Sequence, residues 1–317
     1  MIQFSVIIPN YNHAPFLRER IESVLSQTYQ DFELILLDDC STDNSREIIE
    51  SYRQHPKVSH IVYAEQNSGS PFRQWQKGID LVKSDIKWIW IAESDDVAMP
   101  EFLEAAADKI DTNKDACLYF CNSLVEIPGQ ANTTTTALSN TFFRSSAWDN
   151  SYCVNGIDEL NRVLKFGSPI LNVSAVVFNK HVFKARKIDL SGFRYYGDWY
   201  AYIQMCPDIS VIYNNNIYNR YRRTDQSHSK LMDVESKIQV KEECFRILLH
   251  LQKSSVVKDK KKLMTWFVRK YVGFGIMSDG LPVIWKLTIR YYSINFRLAT
   301  RVLIKTLLLK LRPLSKK

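Results

Sequence analysis

Glycine is scarce in this chain, 10 residues in 317, and none of them builds a G-x-x-x-x-G-K-[ST] or G-x-G-x-x-G run behind a strand-like segment. P-loop and dinucleotide-binding readings lose their main support. Cysteine is sparser still: Cys40, Cys117, Cys121, Cys153, Cys206 and Cys244 are scattered with no Cys-x-x-Cys spacing. That fits reduced thiols better than a disulfide frame or a zinc site. No apolar run reaches the roughly 18 uncharged residues a spanning helix needs. The chain enters a strand pattern at residues 4–8 with no secretory leader before it, so a cytoplasmic location is expected. No nucleic-acid-binding motif accompanies the net charge of +8, and no nucleic-acid partner is expected.

What is present is ordinary globular material, 45% hydrophobic and 24% charged, enough for one large or two ordinary domains. The charge is unevenly spread. Residues 258–317 carry fifteen Lys or Arg against Asp259 and Asp279, a net +13, which leaves residues 1–257 at −5. An acidic body with a basic tail suggests that the tail meets a polyanionic surface. On a helical wheel Lys286, Arg290, Arg297, Arg301, Lys305 and Arg312 fall on one side, with Trp285, Ile289, Tyr292, Leu303, Leu307 and Leu311 on the other. Such a helix either packs on the domain or lies on an anionic leaflet.

The most informative stretch is Trp88-Ile89-Trp90-Ile91-Ala92-Glu93-Ser94-Asp95-Asp96. Four β-branched or aromatic residues read as a strand buried on both faces, and the acids sit at its carboxyl end. In an open parallel α/β sheet ligands bind at that edge, and clustered carboxylates there repel one another unless they share a divalent cation. Helix capping is the competing use of such residues. Strand-like segments at 4–8, 33–37, 59–64 and 88–91 alternate with helical periodicity, which predicts a parallel sheet covered by helices. Residues 128–140 read as an exposed polar loop, residues 210–213 and 217–221 as two short strands, and everything after about 234 as helical.

Five ordered motifs then carry a resemblance. Ser5-Val6-Ile7-Ile8-Pro9-Asn10-Tyr11-Asn12, Ser26-Gln27-Thr28-Tyr29 and Asp38-Asp39-Cys40-Ser41-Thr42-Asp43, followed by Asn67-Ser68-Gly69 and Glu93-Ser94-Asp95-Asp96, resemble the N-terminal half of glycosyltransferase family 2. The likeness covers about the first 110 residues and weakens toward Ser229. It implies a GT-A fold: a mostly parallel nucleotide-binding sheet over residues 1–122, an acceptor-binding part of the same domain at 123–233, and the basic helical region 234–317. It implies an inverting transfer from a nucleotide sugar, UDP-linked by expectation, to a saccharide or lipid-linked acceptor in surface polysaccharide synthesis, with Mn2+ or Mg2+ as cofactor.

By motif position Pro9, Tyr11 and Asp39 would line the nucleoside pocket, Asn67 would belong to the donor site, Asp95 would contact the ribose or sugar, and Asp96 the metal, with Glu93 supporting from behind. An aromatic ring suits stacking on a base, and a carboxylate suits a ring N–H. The segment Ser70-Pro71-Phe72-Arg73-Gln74-Trp75-Gln76-Lys77 departs from the family pattern, leaving Arg73 or Lys77 for the diphosphate. Thr224 stands where the family has a histidine, with His228 as a candidate substitute at the metal. Asp198, in Tyr195-Tyr196-Gly197-Asp198-Trp199, matches the position of the catalytic base, although Gly197 replaces the preceding glutamate; a helix cap starting at Trp199 is the structural alternative. A sugar-phosphate nucleotidyltransferase would need a glycine-rich basic N-terminal loop, which Pro9-Asn10-Tyr11-Asn12 is not. A non-catalytic sugar-binding module would have no need for intact Asp95, Asp96 and Asp198.

Overall fold

The computed structural model describes residues 3–207, 209–223, 233–273 and 289–311. The opening third alternates as the pattern predicts: β1 (Phe4–Asn10), α1 (Ala14–Leu25), β2 (Phe32–Asp38), α2 (Ser45–Glu50), β3 (Val58–Tyr63), α3 (Pro71–Leu81) and β4 (Trp88–Ile91). A proline sits in the first turn of both α1 and α3, where its missing N–H leaves no bond unmade. Then come β5 (Val97–Ala98), α4 (Phe102–Thr112), β6 (Ala116–Glu126), β7 (Thr133–Thr134), α5 (Thr135–Phe143), β8 (Tyr152–Asn155) and α6 (Gly156–Glu159). After these lie β9 (Val176–Asn179), α7 (Lys180–Ala185), α8 (Gly197–Met205), β10 (Ser210–Arg222), α9 (Val234–Lys253), α10 (Lys260–Phe267) and α11 (Phe296–Leu311).

The strands form one mixed, mostly parallel sheet in the order β3-β2-β1-β4-β9-β6-β10-β5, with β7 on β6 and β8 on β10. Strands β3, β2, β1 and β4 run parallel, β9 is antiparallel to both its neighbours, and β6 and β10 are parallel again. Ile7 pairs with Ile35 on one side and Ile91 on the other. The carboxyl ends of β2, β1 and β4 therefore stand level, and the loops after them share one edge. At the far side Arg220 of β10 pairs with Val97 of β5, which brings the end of β10 back to the acids at 93–96.

One face of the sheet, with Phe4, Val6, Ile8, Leu34, Leu36 and Trp90, buries against Leu17, Ile21 and Val24 of α1 and Phe102, Leu103 and Ala106 of α4. Each such side chain contributes about 1.5–3 kcal/mol by leaving water. Helix α3 packs on β1 and β2.

Two expectations change. Residues 128–140 are not a plain loop: Thr134 caps α5 by accepting the N–H of Ala137, and the buried Thr135 hydroxyl donates to Asn122 Oδ1 at 3.0 Å. Threonines that looked like loop polarity are in fact capping and core hydrogen-bonding groups. The two short strands near 210–221 are one 13-residue strand, irregular at Asn214–Ile217. The chain forms one compact unit of residues 1–159 and 168–224 and another of residues 160–167 and 225–317, and β6 runs through 122/123 within the first. In the second unit Phe245 stacks on Tyr291 at 4.2 Å, and Asn161 donates to the carbonyl of Val256 at 2.9 Å.

Candidate active site

The end of β2 is closed by its own neighbourhood. Asp38 is fully buried, accepting from Asn10 Nδ2 at 3.1 Å, the N–H of Ser41 at 3.0 Å and Arg46 Nε at 3.0 Å. Asp39 is wrapped by the next loop: Ser68 donates its N–H to Oδ1 at 3.0 Å and its hydroxyl to Oδ2 at 2.7 Å, and Gln74 Nε2 reaches Oδ1 at 2.6 Å. Asn67 donates to the carbonyl of Asp39 at 3.1 Å and accepts the N–H of Gly69 at 2.8 Å. Gly69 holds φ +73, a left-handed conformation that closes this turn without a Cβ penalty. Pro9 is buried within β1, whereas Tyr11 stands 45% exposed at the rim with no ring partner among the described residues. Arg73 is exposed on the first turns of α3, donating to the carbonyl of Ser68 at 3.2 Å, and Lys77 is exposed one turn further on.

The three acids after β4 differ sharply in their surroundings. Asp96 is 1% exposed; Oδ1 accepts the backbone N–H of Arg222 at 3.0 Å, Oδ2 accepts Asn172 Nδ2 at 2.7 Å, and the Ser174 hydroxyl adds a further bond. Glu93 accepts the indole N–H of Trp75 at 3.0 Å. Asp95 is half-buried, and among the described residues its carboxylate takes no donor but its own backbone N–H. Burial, then the charge of Asp95, pushes Glu93 up to about 8 and Asp96 up to about 7; burial raises Asp95 as well. Asp96, expected at the metal, is thus the most enclosed of the three, and Asp95 is the one with free lone pairs.

Beneath them lies a residue that sequence reasoning passed over. Arg20 of α1 is fully buried with its guanidinium carbon 5.0 Å from the ring centre of Trp90, and none of its side-chain nitrogens has a hydrogen-bond partner among the described residues. Burial lowers it to about 10, opposed by the charges of Asp96, Asp95 and Glu93, so it stays cationic under the acids. A signal was available: Arg20 interrupts the apolar stripe of Leu17, Ile21 and Val24. Asn172, Ser174, Gln74 and Trp75 gave none.

Asp198 lies in the first turn of α8, which begins at Gly197 and not at Trp199, so Asp198 is not the cap; its Oδ1 accepts the N–H of Trp199 at 2.7 Å. The phenol of Tyr221 is pushed up to about 12 by burial, then by the negative charges of Asp96, Asp95 and Asp198. Tyr202 is raised by burial and by Asp198 and Glu93. Helix α3 reaches toward both acids: Trp75 bonds Glu93, and the ring of Phe72, 4.8 Å from Trp75, lies against Gly197 beside Asp198. Gly197 has a steric reason: a Cβ there would come within 2.8 Å of the Phe72 ring. Thr224 and His228 lie outside the described residues.

Could these residues hold a divalent cation? Among the described residues no group of three or more His, Cys, Asp or Glu is arranged to hold a metal ion by itself. One half-buried carboxylate whose only donor among the described residues is its own backbone N–H fits the open kind of site, in which a magnesium-type ion takes one or two carboxylates and completes its shell with substrate phosphates and water.

Residues 5–157 match the family described as Glycosyl transferase family 2. Among curated proteins the chain is 36% identical over 91 residues to the putative teichuronic acid biosynthesis glycosyltransferase TuaG of Bacillus subtilis, a stretch covering 26% of this chain and 36% of that protein. It is 36% identical over 115 residues to the poly(ribitol-phosphate) beta-N-acetylglucosaminyltransferase TarS of Staphylococcus aureus, covering 35% of this chain and 19% of TarS. The match thus spans about a third or less of the relatives' lengths. Among solved structures, TarS 1–349 in complex with UDP-GlcNAc superposes with TM-score 0.70 at 17% identity over 96% of this chain and 88% of that one. The mannosyltransferase PcManGT from Pyrobaculum calidifontis, in complex with GDP-Man and Mn2+, gives 0.56 at 13% identity over 96% and 87%. At those identities the superpositions show the shared GT-A fold.

Proposed function

The chain carries a glycosyl transferase family 2 domain, and from that premise we propose that it is an inverting glycosyltransferase, moving a sugar from a UDP-linked donor to an acceptor hydroxyl. The observation that carries this reading is that one helix, α3, bonds Glu93 through Trp75 at 3.0 Å and sets Phe72 against Gly197, beside Asp198. Tyr11 stacks on the base and Asp39 accepts its N–H, with Asn67 holding the loop beside it. Asp95 takes the cation-facing role, while Asp96, bonded to Asn172 and to the Arg222 backbone, fixes the loop that presents it. A divalent cation bound there would neutralise the departing diphosphate. Asp198 accepts the acceptor's proton from the opposite side of the sugar. Arg73, nearer the 67–70 loop than Lys77, is the cation offered to the diphosphate.

The donor nucleotide is proposed because TarS is solved with UDP-GlcNAc, and a surface polymer is the proposed acceptor because the relatives' names carry teichuronic acid and poly(ribitol-phosphate). Asp198→Asn should lower kcat about 10^3-fold, as expected for loss of a general base, while the affinity for UDP measured by calorimetry stays within about twofold. Near-normal turnover in that variant overturns the assignment.

The second unit supports a location for the enzyme. No helix among the described residues is long and apolar enough to cross a membrane. Helix α11 buries Leu298, Ala299 and Val302, yet leaves Phe296 68% and Ile304 52% exposed beside exposed Arg297 and Arg301. Apolar and basic side chains on one face suit an anionic leaflet, each cation contributing about 1 kcal/mol near the surface. Arg290, expected on that basic face, is instead paired with Glu235 and with Glu242 at 3.0 Å; Trp285, Lys286 and Arg312 lie outside the described residues. Flotation with phosphatidylglycerol vesicles should fail for Phe296→Ser/Ile304→Ser and for wild type on phosphatidylcholine; equal flotation in all three rejects the surface.

A further inference from the structure

Helix α3 and the four residues before it touch three separate parts of the site. Gln74 holds Asp39 at 2.6 Å, Trp75 holds Glu93 at 3.0 Å, and the Phe72 ring, edge-on to Trp75 with centroids 4.8 Å apart, occupies the space above Gly197, next to Asp198. Ser70 adds a fourth contact. Its hydroxyl caps the helix by accepting the N–H of Phe72 at 3.3 Å and also donates to the carbonyl of Phe193 at 2.6 Å, a buried bond spanning 123 positions. Phe193 opens the segment that ends at Asp198.

The hydroxyl of Ser68 joins this cap to the donor pocket. Its oxygen lies 2.7 Å from Asp39 Oδ2 and 3.0 Å from the carbonyl of Ser70. A hydroxyl has one hydrogen to donate, so it serves one of these acceptors well at a time. Without a ligand the shorter contact, to Asp39, takes it. A nucleobase N–H engaging Asp39 would leave that hydrogen to turn to Ser70.

From this geometry we propose that the 67–70 turn and α3 form a strap through which donor binding at Asp39 sets the position of Asp198, with Ser70 and Phe72 as positioning residues. It rests on the assignment of Asp39 to the nucleotide and of Asp198 to the base. The strap has no covalent chemistry of its own. It holds residues 193–198 in register with the donor half, and a shift of about 1 Å there costs up to about 10^2 in rate. The alternative is that Ser70 is only a helix cap and Phe72 only core.

Hydrogen exchange at amides 193–199 separates the two, measured with and without UDP in wild type, Ser70→Ala and Ser70→Thr. In the free protein Ser70→Ala should exchange about tenfold faster than wild type at these amides, and Ser70→Thr, which keeps the hydroxyl, at close to the wild-type rate. UDP should slow exchange there in wild type and Ser70→Thr, but not in Ser70→Ala, although Ser70→Ala still binds UDP. Its kcat should fall about tenfold with an unchanged donor KM, a split that a merely capping serine would not produce. Equal exchange at 193–199 in free wild type and Ser70→Ala overturns the strap. Failure of wild type to bind UDP overturns the functional reading instead, since the free-protein comparison needs no nucleotide.

A second variant set keeps the test open should Ser70→Ala fold poorly. Gly197→Ala should lower kcat, because its Cβ meets the Phe72 ring. Adding Phe72→Ala should restore part of that loss, giving a favourable coupling between the two positions. Additive losses overturn the role of Phe72.

Discussion

Two strand ends at the same edge of the sheet hold their carboxylates in opposite ways. Asp39, after β2, is satisfied by Ser68 and Gln74, 29 and 35 positions away. Asp96, after β4, is satisfied by Asn172 and the backbone of Arg222, 76 and 126 positions away. The first end is closed by the loop and helix that follow the next strand. The second is complete only when the β9–β10 half of the sheet has closed on it, so the same kind of residue is cheap to place in one loop and dependent on the whole unit in the other. Charge differs too: Asp96 shares its space with two other acids and is offset from below by Arg20.

The largest expected effect separates presenting a carboxylate from anchoring one. Asp95→Asn should lower kcat about 10^2- to 10^3-fold, a loss typical of removing one electrostatic stabiliser, with little change in melting temperature; a melting change with normal turnover would reverse the two roles. Next comes the contrast between distant and local partners. Asn172→Ala strips the amide from an enclosed carboxylate and should cost about 2–3 kcal/mol in urea unfolding, whereas Gln74→Ala, which leaves Ser68 on Asp39, should cost about 1. Equal costs would erase the difference between the two strand ends.

The acid cluster also gives a pH signature. Burial raises Glu93 and Asp96 above the usual carboxylate range in the folded chain, so their contribution to stability is fully present below about pH 4 and is lost progressively from there until pH passes about 7 to 8. The metal-free protein should therefore melt a few degrees lower at pH 9 than at pH 6, and Glu93→Gln should shrink that gap; a flat profile in wild type contradicts it. Smallest, Tyr11→Ala at the exposed rim should weaken UDP binding by about 1 kcal/mol, the worth of one stacking contact, with kcat unchanged.

Much of the first unit was legible before folding. The buried strand at 88–91, the alternation of strands with helices and the acids at the carboxyl edge follow from periodicity and turn chemistry, which act over a few residues. The resemblance added the order of the motifs and the position of Asp198. The partners of Asp96 were not legible, because Ser174 sits in a single 3-10 turn, Val173–Ala175, and Asn172 just before it, a stretch too short to carry a periodic signal. Thr134 and Thr135 were read as loop residues since their hydroxyls acquire partners only on β6 and α5. Phe72 and Gly197 each looked like an isolated departure from a family pattern; in the fold they are one contact, and either change alone would leave a gap or a clash.

The most direct test is diffraction from crystals grown with Mn2+ and UDP-GlcNAc. The manganese anomalous peak should lie on the carboxylate of Asp95, bridging to the diphosphate, with the base between Tyr11 and Asp39 and the carboxylate of Asp198 on the opposite side of the anomeric carbon from the diphosphate. A donor bound at this edge with Asp198 facing away from the sugar, or a peak on Asp96 with Asn172 and Arg222 displaced, would contradict the arrangement proposed for these acids.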